Sequence, residues 1–443
     1  MLRFHRLPGS LIELLEAFRP CFGAPAFVTF ALLAAGLVAR PAGRTVCGML
    51  AGAGLGGVWH HSRAHRFFAC SAWSADEVGL VVLRLVTGWL VPAGAPVVIA
   101  VDDTMFRRSG RKVDAAYWGH DGSRKVAPGS PQLSRGNTFV VAAVVVSLPF
   151  LHRPAALPVA ARLWRKGGPP KTRLAGELIS LIAAAPACRG RAVHVVGDGG
   201  YVCGELRRLP PGVTLTGPLP RHACLYEIHP ELDNPLLHRG RGRPRARGAR
   251  IGTPAQLAAA VPGHDSTVTR YGKQARVTVT EHRCLWPGVY RSRPVRVIIV
   301  TEPGRPGLAL VTTDPAVPAA QLITRYASRW AIEVAFSDAK NITGAGEARN
   351  RVPRAVERTV PFALFTQSIV IIWYHLAGHH PAIARSRRAS APWYTTKTCP
   401  SYLDMIVKLR RVLIAAQYNP GVPRQPTPEE IRAVHLAWAQ AAA

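Results

Sequence analysis

Pro96-Val-Val-Ile-Ala-Val-Asp-Asp-Thr104 sets five apolar residues in a row and then two carboxylates. Valine and isoleucine dominate the run, and it does not alternate with polar residues. Such a run fits a strand buried on both faces. A second stretch repeats the design, as Ala192-Val-His-Val-Val-Gly197 leads into Asp198-Gly-Gly-Tyr201. Each predicted strand delivers an aspartate to its carboxyl end. Asp102 and Asp103 are adjacent, so a strand turns them to opposite faces and only one can face a shared site.

Between these stretches, Phe139–Ser147 and Ala156–Trp164 read as further strands. Lys171–Ala185 carries apolar residues at helical spacing: Leu174, Leu178, Leu181 and Ile182. The order strand, strand, strand, helix, strand is the core order of an RNase H-like fold. The expected class is α/β: an RNase H-like core with a strand-rich insertion, flanked by helical N- and C-terminal regions. Residues 1–90 form the helical N-terminal region, expected to bind DNA. There Ser74 and Glu77 have the spacing of a capping box, opening a helix through Leu85. Residues 91–200 are the first part of the core and 201–320 the insertion. Thr267–Tyr271, Ala275–Glu281, Val295–Thr301 and Leu308–Thr312 are its predicted strands. Residues 321–350 return as a core catalytic helix. Residues 351–443 are mainly helical, with starts at Ser401-x-x-Asp404 and Thr427-Pro428 and a possible dimerisation role.

Lys and Arg total 56 against 25 Asp and Glu, a formal net charge of +31. Such self-repulsion favours a polyanionic partner, with nucleic acid first and an anionic membrane surface second. A hydrophobic content of 48% excludes a disordered basic tail. Leu80–Val101 has the length of a membrane span, but Arg84, Pro92, Gly94 and Pro96 divide it into helix, turn and strand. The eight cysteines lack any Cys-x-x-Cys pair, which fits neither a zinc site nor a disulfide framework and points to a reducing cytoplasm. His61 and His65 have metal-ligand spacing without a clear third ligand.

Tyr326-Ala-Ser-Arg-Trp-Ala-Ile-Glu-Val-Ala-Phe-Ser-Asp-Ala-Lys340 contains neither Gly nor Pro. On a regular helix, Tyr326, Arg329, Glu333 and Lys340 share one face. A carboxylate beside a phenol and two cations suits a metal-bound phosphodiester, and it equally suits a solvated face with an ion pair. Asp102, Asp198 and Glu333 make the functional reading weigh more. Three converging carboxylates repel one another unless a cation neutralises them, and hard oxygen ligands suit Mg²⁺, with Mn²⁺ as a substitute. Two such ions about 4 Å apart support in-line phosphoryl displacement.

These residues resemble the DDE transposases of bacterial insertion sequences, in the group with a Tyr-x2-Arg-x3-Glu-x6-Lys signature. Tyr326, Arg329, Glu333 and Lys340 match it at the right spacing. Asp102-Asp103-Thr104 fits the preceding Asp-x-Thr, which favours Asp102 as ligand. Gly197-Asp198-Gly199-Gly200-Tyr201 fits the second motif, and 134 residues separate Asp198 from Glu333, matching the family's inserted region. The resemblance covers roughly residues 95–350. It implies Asp102, Asp198 and Glu333 as catalytic metal ligands, and Tyr326, Arg329 and Lys340 as contacts to DNA phosphates. The implied activity is cleavage at the terminal inverted repeats of a mobile element and joining of its 3′-OH ends to target DNA. The partners would be double-stranded DNA and a second copy of the chain, with no membrane. The alternatives are an endonuclease without strand transfer and a catalytically silent DNA-binding descendant.

Two basic segments extend the expected DNA surface. Arg107 and Arg108 follow the first aspartates closely enough to reach a phosphate near the metals. Arg241, Arg243 and Arg245 sit in an Arg-Gly-Arg-Gly-Arg-Pro-Arg stretch whose Arg-Gly-Arg-Pro core suits an A·T-rich minor groove.

Overall fold

The structure is a computed structural model and describes residues 7–233, 247–383, 385, 393, 395–418 and 428–441. The chain forms two compact units. One comprises Met1–Pro92, Asp103–Pro169 and Glu333–Ala443; the other comprises Ala93–Asp102 and Pro170–Ile332. Strand β1 (Val97–Arg107) gives its second half to the first unit and its first half to the second.

In the first unit, β3 (Leu133–Val146) pairs antiparallel with β2 (Tyr117–His120) near its start and with β4 (Ala155–Trp164) over the rest. The Arg108 N–H donates to the Arg135 carbonyl at 2.9 Å. The apolar run of β3 is buried because helices cover this layer. The helices Ala75–Trp89 and Pro353–Trp373 pack on β4 and on each other. A Cβ on Gly79 would lie 2.1 Å from the Val159 carbonyl oxygen, so only glycine permits this approach of helix to strand. The Ser74 hydroxyl caps the first of these helices by accepting from the Asp76 N–H, and the helix runs four residues past the predicted Leu85.

Pro353–Gly378 is apolar and long enough to cross a membrane, but 83% of its most apolar window is buried inside the protein, as in a core helix. Phe362 joins Phe67, Phe68 and Phe30 in an edge-to-face cluster, with Phe68 and Phe362 centroids 5.2 Å apart. Arg358 is buried beneath it. Its guanidinium donates to the carbonyls of Phe68, Ser71 and Trp73 and lies over the Trp73 ring. Burial pushes its pKa down to about 10, which leaves it charged at neutral pH.

The second unit contains β5 (Val193–Gly197), β6 (Val213–Pro218), β7 (Leu225–Tyr226), β8 (Arg250–Gly252), β9 (His264–Arg270), β10 (Lys273–Leu285), β11 (Pro294–Thr301) and β12 (Leu308–Thr312). The first half of β1 runs parallel to β5, and β5 parallel to β6. Beyond β6 the pairings are antiparallel: β6 with β12, β12 with β11, β11 with β10, and β10 with β9 and β7. Tyr271 and Gly272, with φ of 54° and 77°, form the two-residue loop between β9 and β10. Two positive φ values in such a loop define a type I′ hairpin turn. Helix Ala319–Ser328 lays Ala319, Leu322 and Ile323 on Val268, Val279, Ile298 and Leu310 of this sheet. The mixed α/β class with helical terminal regions agrees with the sequence reading.

Candidate active site

Parallel pairing of β1 and β5 puts two aspartates side by side. The register ends at Val101 opposite Gly197, and Asp102 and Asp198 are the next residues on the two strands. Neighbouring strands lie about 4.8 Å apart, so the two carboxylates start from adjacent backbone positions. Asp102 was expected at the end of a strand. It lies instead within β1, which continues through Thr104 to Arg107, although its pairing with β5 stops at Val101. Asp198 does end its strand. Its Oδ1 accepts the Gly200 N–H at 2.8 Å and caps the short turn Gly199–Tyr201.

Tyr326 and Arg329 belong to the same unit. The Arg329 guanidinium donates to Asp102 Oδ2 at 3.3 Å, with both side chains largely buried. Burial raises the Tyr326 pKa, Arg329 opposes that rise, and the charge of Asp198 adds to it. The phenol therefore keeps its proton at neutral pH and remains a donor. Tyr326, Arg329, Trp330, Arg270 and Tyr271 line a cleft of about 100 Å³. Trp330 is 46% exposed.

Residues 326–340 do not form one regular helix. Helix Ala319–Ser328 ends before a turn at Arg329 and Trp330, helix Ala331–Asp338 follows, and Ala339–Thr343 is a π turn. The 100° step that placed four side chains on one face does not run through the segment. The signal was weak in sequence, since Trp330 and Ala331 carry no helix-breaking chemistry.

Glu333 and Lys340 belong to the first unit, and Glu333 lies half-buried on helix Ala331–Asp338. Lys340 Nζ donates to Thr104 Oγ1 at 2.7 Å and to Ser123 Oγ at 3.3 Å. Burial lowers its pKa, the Asp121 charge opposes that effect, and Arg107 adds to it. Asp121, which sequence reasoning missed, is itself nearly buried. Desolvation favours its neutral form, but hydrogen bonds from Ser123, Arg107 and Ser134 outweigh this and hold its pKa below the usual carboxylate range. Thr104 stood in the Asp-x-Thr motif without an assigned role, and its contact to Lys340 supplies one.

The basic residues after β1 divide. Arg107 is 57% exposed and pairs with Asp121 at 2.8 Å. Arg108 is buried, bonded to Asn137 and to the carbonyls of Gly346 and Ala348. Its guanidinium is directed into the unit, where it serves chain packing and is not offered to DNA. Arg241, Arg243 and Arg245 lie outside the described residues.

Among the described residues no group of three or more His, Cys, Asp and Glu side chains is gathered for a metal ion. The strand register puts Asp102 and Asp198 at neighbouring backbone positions, and carboxylate oxygens are the donors that suit a hard divalent cation.

A family profile for DDE superfamily endonucleases matches residues 17–291. The matched span includes Asp102 and Asp198 and ends before Tyr326. No curated protein matches the chain. Among solved structures, the chain is similar to one described as a "piggyBac transposase synaptic complex with hairpin DNA", at 11% identity and a TM-score of 0.38, over 99% of this chain and 82% of that chain. The profile covers more than half of the sequence, and the chain belongs to the DDE superfamily endonuclease family.

Proposed function

We propose that this endonuclease-family chain is a DNA transposase. It would bind the terminal inverted repeats of a mobile element, cut the ends and join 3′-OH groups to target DNA. The observation that carries the reading is the placement of Asp102 and Asp198 at adjacent positions of paired parallel strands, inside the family-matched span. Glu333 is proposed as the third ligand, on its place in the Tyr-Arg-Glu-Lys spacing. Mg²⁺ held by these carboxylates, with Mn²⁺ as a substitute, would activate the attacking oxygen and stabilise the leaving one.

Three further side chains would do the rest. Tyr326 keeps its proton and can donate to a phosphate oxygen. Arg329 can release Asp102 and turn a fixed positive charge to the same phosphate. Lys340 adds an ammonium steadied by Thr104 and Ser123. Joining two element ends calls for two copies of the chain on DNA.

Incubation with a plasmid carrying the element ends tests this. Wild type should cut it with Mg²⁺, while Asp198→Asn and Glu333→Gln should bind the ends and cut at least about a hundredfold more slowly, a loss in the range of a major catalytic group. Normal cutting by both variants would remove these residues from the site. Transfer into a second plasmid separates a transposase from an endonuclease that only cuts. Binding without cutting by wild type would identify a catalytically silent descendant.

A further inference from the structure

We infer that Arg44 is a positioning residue for Lys340, assisted by Arg108, through a clamp on the chain just after that lysine. What Lys340 does for DNA rests on the proposed function; the clamp itself does not.

The π turn Ala339–Thr343 contains Lys340 and leaves its carbonyls in need of donors. Arg44, far away in sequence and buried, meets that need. Its Nη1 donates to the Ile342 carbonyl at 2.5 Å and its Nη2 to the Asn341 carbonyl at 3.3 Å. The same guanidinium pairs with Glu347 at 2.7 Å, and the Arg44 backbone N–H donates to the other Glu347 oxygen at 2.7 Å. One side chain therefore ties both ends of the segment 341–347. Arg108 closes the next stretch by donating to the carbonyls of Gly346 and Ala348, each at 2.7 Å. A fixed planar fork can hold several carbonyl and carboxylate oxygens at once, which an ammonium cannot do in this geometry.

The glycine between the two grips shows how tight the arrangement is. Gly344 has φ of +79°, and a Cβ there would come within 2.4 Å of the Arg44 Nε. Glycine is required both for the backbone conformation and for the room that the guanidinium occupies. With the turn fixed, the Lys340 ammonium has a defined direction, toward Thr104 and Ser123. Without it, a four-carbon chain would sample many rotamers, and an ordered phosphate contact would lose affinity to that entropy.

Amine labelling of the full chain, read residue by residue by mass spectrometry, tests the clamp without any activity. In Arg44→Met, labelling of Lys340 should rise several-fold, while exposed Lys166 and Lys273 stay unchanged. Gly344→Ala should do the same, since it displaces the guanidinium and removes no charge. Unchanged Lys340 labelling in a folded variant of either kind overturns the inference. Should Arg44→Met fail to fold, Glu347→Gln keeps the shape, weakens the pair and reads the same signal. A matching DNA measurement separates the two ideas. If Lys340 binds phosphate, Arg44→Met combined with Lys340→Ala should be no worse than Lys340→Ala alone, and losses that add would show Arg44 acting elsewhere. Freed Lys340 with normal DNA binding and cutting would count against the role of the lysine and leave the clamp standing.

Discussion

Asp338 sits five residues beyond Glu333, and burial raises its pKa to about 7. In the unfolded chain an aspartate titrates near 3.9. The folded state therefore holds the proton more tightly, and the stability this contributes is complete below about pH 4 and is lost as pH rises through about 7. Asp338→Asn should abolish that dependence. Chemical denaturation at several pH values should show wild type losing up to about 1.4 kcal/mol per pH unit relative to the variant over this window. Equal slopes would place the carboxyl in water. At this scale, position was legible where a residue type has few uses. Aspartates after buried valine runs were readable as neighbours on paired strands, whereas the shared face expected of Tyr326, Arg329, Glu333 and Lys340 is interrupted by the turn at Arg329 and Trp330. Arg108 was not, because Arg107 and Arg108 look alike in sequence. Only the fold shows that one side chain faces solvent and that the other meets the carbonyls of Gly346 and Ala348.

Among elements, the helix Ala319–Ser328 links packing to the site, since Leu322 and Ile323 bury its underside while Tyr326 lines the cleft. Leu322 is fully buried. Leu322→Ala should cost about 2–5 kcal/mol, the range for a core leucine that leaves a cavity. Denaturant unfolding would measure it, and a cost below about 1 kcal/mol would mean the helix is not anchored there. Most strands were legible because they are continuous β-branched runs, and Leu308–Thr312 agrees with its predicted bounds. Strand β6 was missed because its few apolar residues lie between Pro-Gly and Gly-Pro, which read as loop. The break at Arg329 and Trp330 was missed for the opposite reason. Every residue from 326 to 340 favours or tolerates a helix, so tertiary packing decided the phase.

For the whole molecule, an excess of 31 positive charges predicts binding dominated by phosphate contacts. Raising salt from about 50 to about 200 mM should weaken binding to a DNA duplex by about 10³–10⁵, if six to ten phosphates are engaged. A flat salt dependence in an electrophoretic or fluorescence titration would contradict that expectation. Charge and length were fully legible in the sequence. The division into units was not, because segments far apart along the chain share one core, and nothing local in any segment announces its distant partner.

That division has a consequence in time. Arg358 donates to the carbonyl of Phe68, which lies 290 residues earlier. At about 5–20 residues per second, ribosomes would add the intervening chain in roughly 15–60 s. Throughout that interval Phe67 and Phe68 wait for Phe362, and Trp73 waits for Arg358. The second unit is nearly continuous and can close earlier. Nascent chains halted before residue 353 should therefore be captured by a hydrophobic-surface chaperone, and chains long enough for residue 373 to have left the ribosome should be released; equal capture at both lengths would contradict this order.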